Sequence, residues 1–398
     1  MKSCQLSLFF LILLTAGCGN TNDAQVLPPN VLSVKVEAVG TGVCSSGPNT
    51  PCTQVTICQP GTSNCQTISD ILVDTGSSGL RIFQSLLTIG LPQTSTSLYP
   101  IAECVQFGDL SAAWGPIEFA DVILGGELAP SVPIQVIFNP DTNTNSPPAT
   151  TTAFQSACPG TIYPLDTPVN SGLNGILGVS FYQVDTSGNY FACGDSGCST
   201  NAPTLLSNQF SVGVTSPVLN PVFSLPVDNN GVILSFPGVP ASGATSVAGS
   251  LILGIGTQAN NMLSSQANIY PAVSGAITTS YNGSTNAGYF DSGSNLLAVP
   301  DTTITACTST SGFYGFYCQA ATRTAFNLDV IGSLVPVIFQ IADASSLNFN
   351  LNVFNNLGGP LTPTPNMGFD WGFPFFLGRT VYVGYGSAPG TVGPYFAY

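Results

Sequence analysis

Two short stretches of the chain are near copies of each other: Ile71-Leu72-Val73-Asp74-Thr75-Gly76-Ser77-Ser78-Gly79-Leu80 and Gly288-Tyr289-Phe290-Asp291-Ser292-Gly293-Ser294-Asn295-Leu296-Leu297. Each sets one acid, a hydroxyl and a glycine after an apolar run. Each therefore reads as a strand ending in a tight turn that presents a carboxylate, with glycine supplying the backbone freedom and close approach that other residues resist. One such turn constrains little; two point to a fold that brings a carboxylate pair together. Carboxyls within hydrogen-bonding distance cannot both ionise, so one holds a proton while the other stays charged. Two identical side chains then act as general acid and general base.

A third Asp-Ser-Gly, Asp195-Ser196-Gly197, lies between Cys193 and Cys198 with no apolar run before it and reads as a polar turn. The Asp74 and Asp291 copies follow apolar strands, and each has a second element downstream. Gly175-Ile176-Leu177-Gly178 follows the first, and Phe375-Phe376-Leu377-Gly378 the second. In this order the four elements resemble the pepsin-like aspartic proteases, in which a hydrophobic-hydrophobic-Gly strand passes beside each catalytic loop. Between the halves, Val222-Phe223-Ser224-Leu225, Gly231-Val232-Ile233-Leu234 and Ser250-Leu251-Ile252-Leu253-Gly254 resemble the strands that join the family's lobes. At motif level the resemblance covers residues 31 to 398. It implies an all-β, bilobal pepsin-like acid protease fold with an active-site cleft between two pseudo-twofold-related lobes. Residues 31–220 would form the lobe of Asp74 and residues 221–398 the lobe of Asp291. The implied activity is aspartic endopeptidase, by water activated between two carboxylates, with a polypeptide substrate, no cofactor and a monomeric chain.

The same resemblance assigns roles by position. Asp74 and Asp291 are the catalytic pair. Ser77 and Ser294 support the carboxylates, Thr75 and Ser292 bond across the lobes, and Gly76 and Gly293 free the backbone. Cys104 to Gly115, including Phe107, Gly108 and Trp114, resembles the hairpin that covers the cleft. Two residues depart from the pattern: Phe107 stands where a tyrosine is expected, and Arg81 where a tryptophan is expected. A guanidinium beside Asp74 would favour its charged form, unless Asp70, Asp109 or another acid pairs with it. Alternatively Arg81 stacks on Phe107 or Trp114 as a structural pair. These departures keep a second function in view, a catalytically silent pepsin-fold protein that binds peptide, glycan or a protein partner. A structural surface lipoprotein is a third.

Composition agrees with many short strands and turns: of 398 residues 43 are Gly and 31 Pro, and only 6% are charged. The length exceeds what one compact core accommodates and suits two lobes. There is no histidine, which excludes Ser-His-Asp and Cys-His catalysis and His-ligated zinc. A net charge of −14 with five basic residues argues against nucleic acid and anionic lipid surfaces as partners.

At the N-terminus, Lys2, the apolar run Leu6 to Leu14 and Leu14-Thr15-Ala16-Gly17-Cys18 read as a signal peptide over 1–17. This segment resembles a lipoprotein box, although Thr15 stands where an aliphatic residue is usual. Cys18 would be lipidated, residues 18–30 would form a flexible tether, and the lipid would be the sole membrane attachment. The expected location is the bacterial cell envelope, at the outer membrane since Gly19 rather than Asp follows the cysteine. Cleavage of an ordinary signal peptide and free secretion is the alternative. Ten cysteines remain in the body, an even number that reads as a disulfide framework in an exported chain. Cys58 and Cys65 flank a turn and pair across it. Cys44–Cys52, Cys193–Cys198 and Cys307–Cys318 are further local pairs, which leaves Cys104–Cys158 by elimination. With no histidine and an oxidising compartment, the short cysteine spacings are not read as a metal site.

Overall fold

The computed structural model describes residues 27–94, 100–138, 158, 163–185, 187–192, 204–207, 216–360, 368–387, 390 and 393–398. The signal peptide, Cys18, the Asp195 turn and the Cys193–Cys198 pair lie outside the described residues. Among the described residues the elements are strands, broken only by one-turn helices such as Pro168–Ser171 and Phe373–Phe376. No helix there is long and apolar enough to cross a membrane.

The chain is an all-β, bilobal molecule, and one connectivity occurs in it twice. In the first lobe, strand Cys65–Asp74 runs parallel to Gly175–Val179, with Asp74 opposite Gly178. Gly175–Val179 pairs on its other side, antiparallel, with Ser78–Phe83, which in turn lies parallel to Glu127–Ile137. In the second lobe, Ser284–Asp291 runs parallel to Phe369–Gly372, with Asp291 opposite Gly372. Phe369–Gly372 pairs antiparallel with Leu297–Val299, which lies parallel to Gly358–Pro360. Each acid thus ends a strand at the point where a companion strand supplies a glycine. That glycine is required by space: a methyl group on Gly178 would lie 2.8 Å from the Ser77 backbone, and one on Gly372 2.0 Å from the Leu296 carbonyl oxygen.

The companion strand of the second lobe corrects the sequence reading. It is Phe369-Asp370-Trp371-Gly372, not Phe375 to Gly378, most of which lies in and beyond the short helix Phe373–Phe376. Val222 to Leu225 is also not a strand. Pro221–Ser224 forms a 3-10 turn, because proline takes its first position and the Asn220 side chain accepts from the Val222 N–H. The other two joining segments are strands: Val247–Leu253 pairs with both Val31–Val36 and Gly231–Ser235. That sheet runs on through Thr380–Gly384 and Tyr395–Ala397 to Ile269–Pro271, so the chain's C-terminal strand lies within it.

Alternation drives these strands inward. In Val31–Val36, Leu32, Val34 and Val36 are buried while Ser33 and Lys35 face solvent. Around the first acid the core is aliphatic: Ile71, Val73, Leu80, Ile82 and Leu177 are all fully buried. Each such side chain contributes about 1.5–3 kcal/mol by leaving water. Around the second acid it is aromatic. Phe290 lies 4.8 Å from Phe375 and 5.1 Å from Phe396, and Trp371 lies 4.4 Å from Phe369.

Among the described residues four disulfides join Cys44–Cys52, Cys58–Cys65, Cys104–Cys158 and Cys307–Cys318. Cys58 and Cys65 face each other across the hairpin leading to Asp74, as their position beside a turn predicts. Such bonds persist in oxidising compartments, which fits an exported protein.

Candidate active site

The two acid turns meet at the centre of the molecule through four reciprocal hydrogen bonds. The Thr75 hydroxyl donates to the Phe290 carbonyl (2.7 Å) and accepts from the Ser292 N–H (2.9 Å). The Ser292 hydroxyl donates to the Val73 carbonyl (2.7 Å) and accepts from the Thr75 N–H (3.1 Å). All four bonds are buried, where an unpaired backbone group is costly, so the turns cannot separate without leaving polar groups unsatisfied.

That lock sets the acids facing each other. The Gly76 N–H donates to Asp74 Oδ1 (2.7 Å) and the Ser77 hydroxyl to Asp74 Oδ2. In the second turn the Gly293 N–H donates to Asp291 Oδ1 (2.8 Å) and the Ser294 hydroxyl to Asp291 Oδ2 (2.8 Å). Each glycine lies against the opposite acid. A methyl group on Gly76 would stand 2.6 Å from Asp291 Cγ, and one on Gly293 2.7 Å from Asp74 Cγ. Burial first, then the charge of Asp74 and that of Asp370, push the Asp291 carboxyl well above the ordinary carboxylate range, while the Ser294 hydroxyl pulls the other way. In such a pair one proton is shared and the two groups titrate as a unit.

The flank of the first turn carries a buried cluster of charges. Arg81 is fully buried on strand Ser78–Phe83, and its guanidinium donates to the Ser78 carbonyl (2.9 Å) and to Asp185. Glu103 lies 3.6 Å away on the same side. Neither Asp70 nor Asp109, the two acids named from the sequence, is its partner. Asp70 Oδ1 instead accepts from the Cys44 N–H, and Asp109 Oδ1 from the Ser111 N–H. Burial opposes the Arg81 charge, but Glu103, Asp185 and, more weakly, Asp74 outweigh it and keep the guanidinium protonated. Burial pushes Glu103 up to about 8, with the Arg81 charge opposing it and the Asp185 charge adding to it. Asp185 and Glu103 were not foreseen, since neither lies in a motif.

The hairpin of strands Ile101–Gln106 and Ser111–Leu124 turns over through Phe107 to Leu110, with the Leu110 N–H donating to the Phe107 carbonyl (3.0 Å). Gly108 sits in this turn. The Arg81 guanidinium lies 5.9 Å from the centre of the Phe107 ring, so the two departures from the family pattern meet. Trp114 packs elsewhere, 5.7 Å from Phe191 and beside Cys104 and Cys158.

A third acid stands at the pair. Asp370, on the companion strand of the second lobe, is 7% exposed and lies opposite Tyr289 on the strand that ends in Asp291. No motif points to it, because an acid at this position hides the strand from a search for apolar-apolar-Gly. Two surface hollows, one beside Ala321 and Ile341 and the other beside Leu32 and Asp70, touch neither member of the pair. The duplicated geometry, not the size of a hollow, marks the site.

The crystal structure of an aspartic proteinase from Irpex lacteus is similar to this chain at 19% sequence identity and a TM-score of 0.48, covering 92% of this chain and 96% of that one. No curated protein matches it in sequence. A family model described as protein of unknown function (DUF3443) matches residues 27–398, and the chain belongs to that family.

Proposed function

We propose that the chain is an aspartic endopeptidase. The observation that carries this reading is the Thr75–Ser292 lock, which holds two carboxyls, each with a serine and a glycine N–H, in facing turns. With Asp291 protonated and Asp74 charged, a water between them can add to a peptide carbonyl. Its oxygen bonds to the carbon, its proton passes to Asp74, and the Asp291 proton goes to the carbonyl oxygen. The resulting diol collapses as Asp74 returns its proton to the amide nitrogen and Asp291 takes one back from a diol hydroxyl, breaking the C–N bond. Every proton is accounted for and the pair is restored.

The substrate class we propose follows from the chemistry, since a general acid and a general base facing each other suit hydrolysis of an amide bond. The disulfides support export, and we place the enzyme at the cell envelope, anchored through a lipid on Cys18. Replacing Cys18 with Ser should then release the protein to the soluble fraction.

Cleavage of a mixed peptide library from acid to neutral pH, with and without a statine-type inhibitor, tests the enzyme. Turnover by the wild type, blocked by the inhibitor and by Asp291→Asn, is the expected result. Equal turnover by Asp291→Asn would overturn the pair. One observation favours a cleft that binds without cleaving: the covering hairpin offers Phe107, which has no hydroxyl, and the ring is engaged by Arg81. Tight inhibitor binding with no cleavage of any peptide would favour that reading.

A further inference from the structure

Asp370 has no counterpart in the first lobe. In the ladder between the companion strand and the strand that follows each acid turn, Arg81 stands opposite Ile176 in the first lobe and Ala298 opposite Asp370 in the second. The position that holds a methyl-rich side chain beside Asp74 thus holds a carboxyl beside Asp291. It is nearly fully buried, and its Oδ1 has no hydrogen-bond partner among the described residues. The ion pairs of the described residues engage Arg81 and Arg323, and none reaches Asp370. A buried carboxyl with a free oxygen and no cation is expensive unless it is protonated or used.

Its surroundings show the use. The Ser294 hydroxyl has one proton, given to Asp291 Oδ2, and Asp370 stands near enough for that hydroxyl to favour its ionised form. While Asp370 is neutral, its own proton can be donated to the hydroxyl oxygen, giving a chain from Asp370 through Ser294 to Asp291. Once Asp370 ionises, it adds a negative charge beside the pair. The ionisable groups facing it are Asp291 and, across the lobe boundary, Asp74. Tyr289 is its ladder neighbour on the strand that ends in Asp291, and Ala298 on the other side carries no charge.

We infer that Asp370 is a positioning residue, a third carboxyl acting through Ser294 and through its charge to extend upward the pH range in which the Asp74–Asp291 pair keeps its single proton. The sign follows from repulsion: a negative Asp370 makes loss of the pair's last proton harder, so the active form survives to higher pH. Burial, with Asp74 adding to it and Ser294 opposing it, sets Asp370 itself at about 7, so its charge develops near neutrality, where the effect would be felt.

This inference rests on the peptidase reading, and its test has one arm that does not. In the first arm, pH-rate profiles are compared for the wild type, Asp370→Asn and Asp370→Ile, the last restoring the residue type of Ile176. Both variants should move the basic limb to lower pH by on the order of one unit, about a tenfold relative loss near neutrality, with the acid limb and KM unchanged. Superimposable profiles would overturn the proposal. In the second arm, infrared titration of the protonated-carboxyl band is read as the difference between each protein and its Asp291→Asn derivative, which cancels other buried acids such as Glu103 and leaves the pair, in the wild type and in Asp370→Asn. The carboxyl that remains should lose its proton at lower pH in the variant, and an unchanged midpoint would overturn the proposal as well. Because this arm needs no turnover, an inactive wild type would defeat the peptidase reading alone and leave the third carboxyl to be judged by its titration.

Discussion

The two acid turns share a frame and differ in charge. Both end a strand in Asp, a hydroxyl residue, Gly and Ser, both give the acid a glycine N–H and a serine hydroxyl, and both place a glycine on the companion strand. Seven positions after each acid they diverge, to Arg81 in the first and Ala298 in the second, and across the ladder from these stand Ile176 and Asp370. The first turn therefore has a cation behind it, restrained by Asp185 and Glu103, and the second has an anion-forming group with no cation. The negative charge that Asp370 can carry favours the protonated form of Asp291. A symmetric frame fixes where the carboxyls sit; burial and the negative charge around the second raise Asp291.

The largest expected effect tests whether the frame needs both acids. Asp74→Asn and Asp291→Asn should each lower kcat by about 10²–10⁴-fold, since either removes one of the two proton-transferring groups. Thermal unfolding should show both variants folded. Retained activity in one alone would break the comparison at its root, leaving a single working acid.

The next effect lies behind the first turn. Arg81→Leu leaves Asp185 and Glu103 buried together without their cation, and should cost about 3–5 kcal/mol in urea unfolding. Asp370→Asn in the second turn should cost far less, because no partner is orphaned. Similar losses for the two would mean that Asp370 has a structural partner of its own.

Smaller still, Thr75→Val and Ser292→Ala each strip a buried acceptor from the opposite turn's N–H, and should destabilise by about 1–3 kcal/mol apiece. Unequal losses would show that the lock, symmetric in its bonds, is not symmetric in its energy.

How far the sequence reveals this arrangement follows the same division. The turns were legible because their chemistry needs fixed residue types at fixed spacing, and the Cys58–Cys65 staple because it flanks a turn. The second companion strand was not legible. Its marker is an apolar pair before glycine, Asp370 breaks that pattern, and the aromatic run Phe373 to Phe376 offers a stronger but false match. Val222 to Leu225 misled for a different reason, as Val222 and Leu225 are buried at a turn set by Asn220 and Pro221 rather than in a strand. The partners of Arg81 were out of reach because Asp185 lies 104 residues away in the chain. Pairings at that separation are made by topology, and no local pattern records them.

The smallest effect, per unit of the variable that drives it, is a dependence of stability on pH to which each lobe adds a term. Glu103 beside the first turn sits at about 8 and Asp370 beside the second at about 7, both raised chiefly by burial from unfolded values of roughly 4. A carboxyl raised in the folded state binds its proton more tightly there than in the unfolded chain. Its contribution is therefore complete below about pH 4 and is lost as pH climbs toward 7 or 8, on the order of 1 kcal/mol per pH unit for each group. Asp301 works the other way. Burial opposes its ionised form, but hydrogen bonds from Thr303, Tyr281 and Arg323 hold it at about 2, so its contribution is present above about pH 4 and lost in stronger acid. Stability should accordingly peak in mild acid and decline toward pH 8. Urea midpoints measured at several values across that interval should show the decline in the wild type. Glu103→Gln and Asp370→Asn should each flatten it in part, and by comparable amounts if the two lobes contribute alike. A wild type whose midpoint stays level or rises from pH 5 to pH 8 would contradict burial of either acid in its protonated form. Flattening by only one of the substitutions would assign the pH sensitivity to a single lobe.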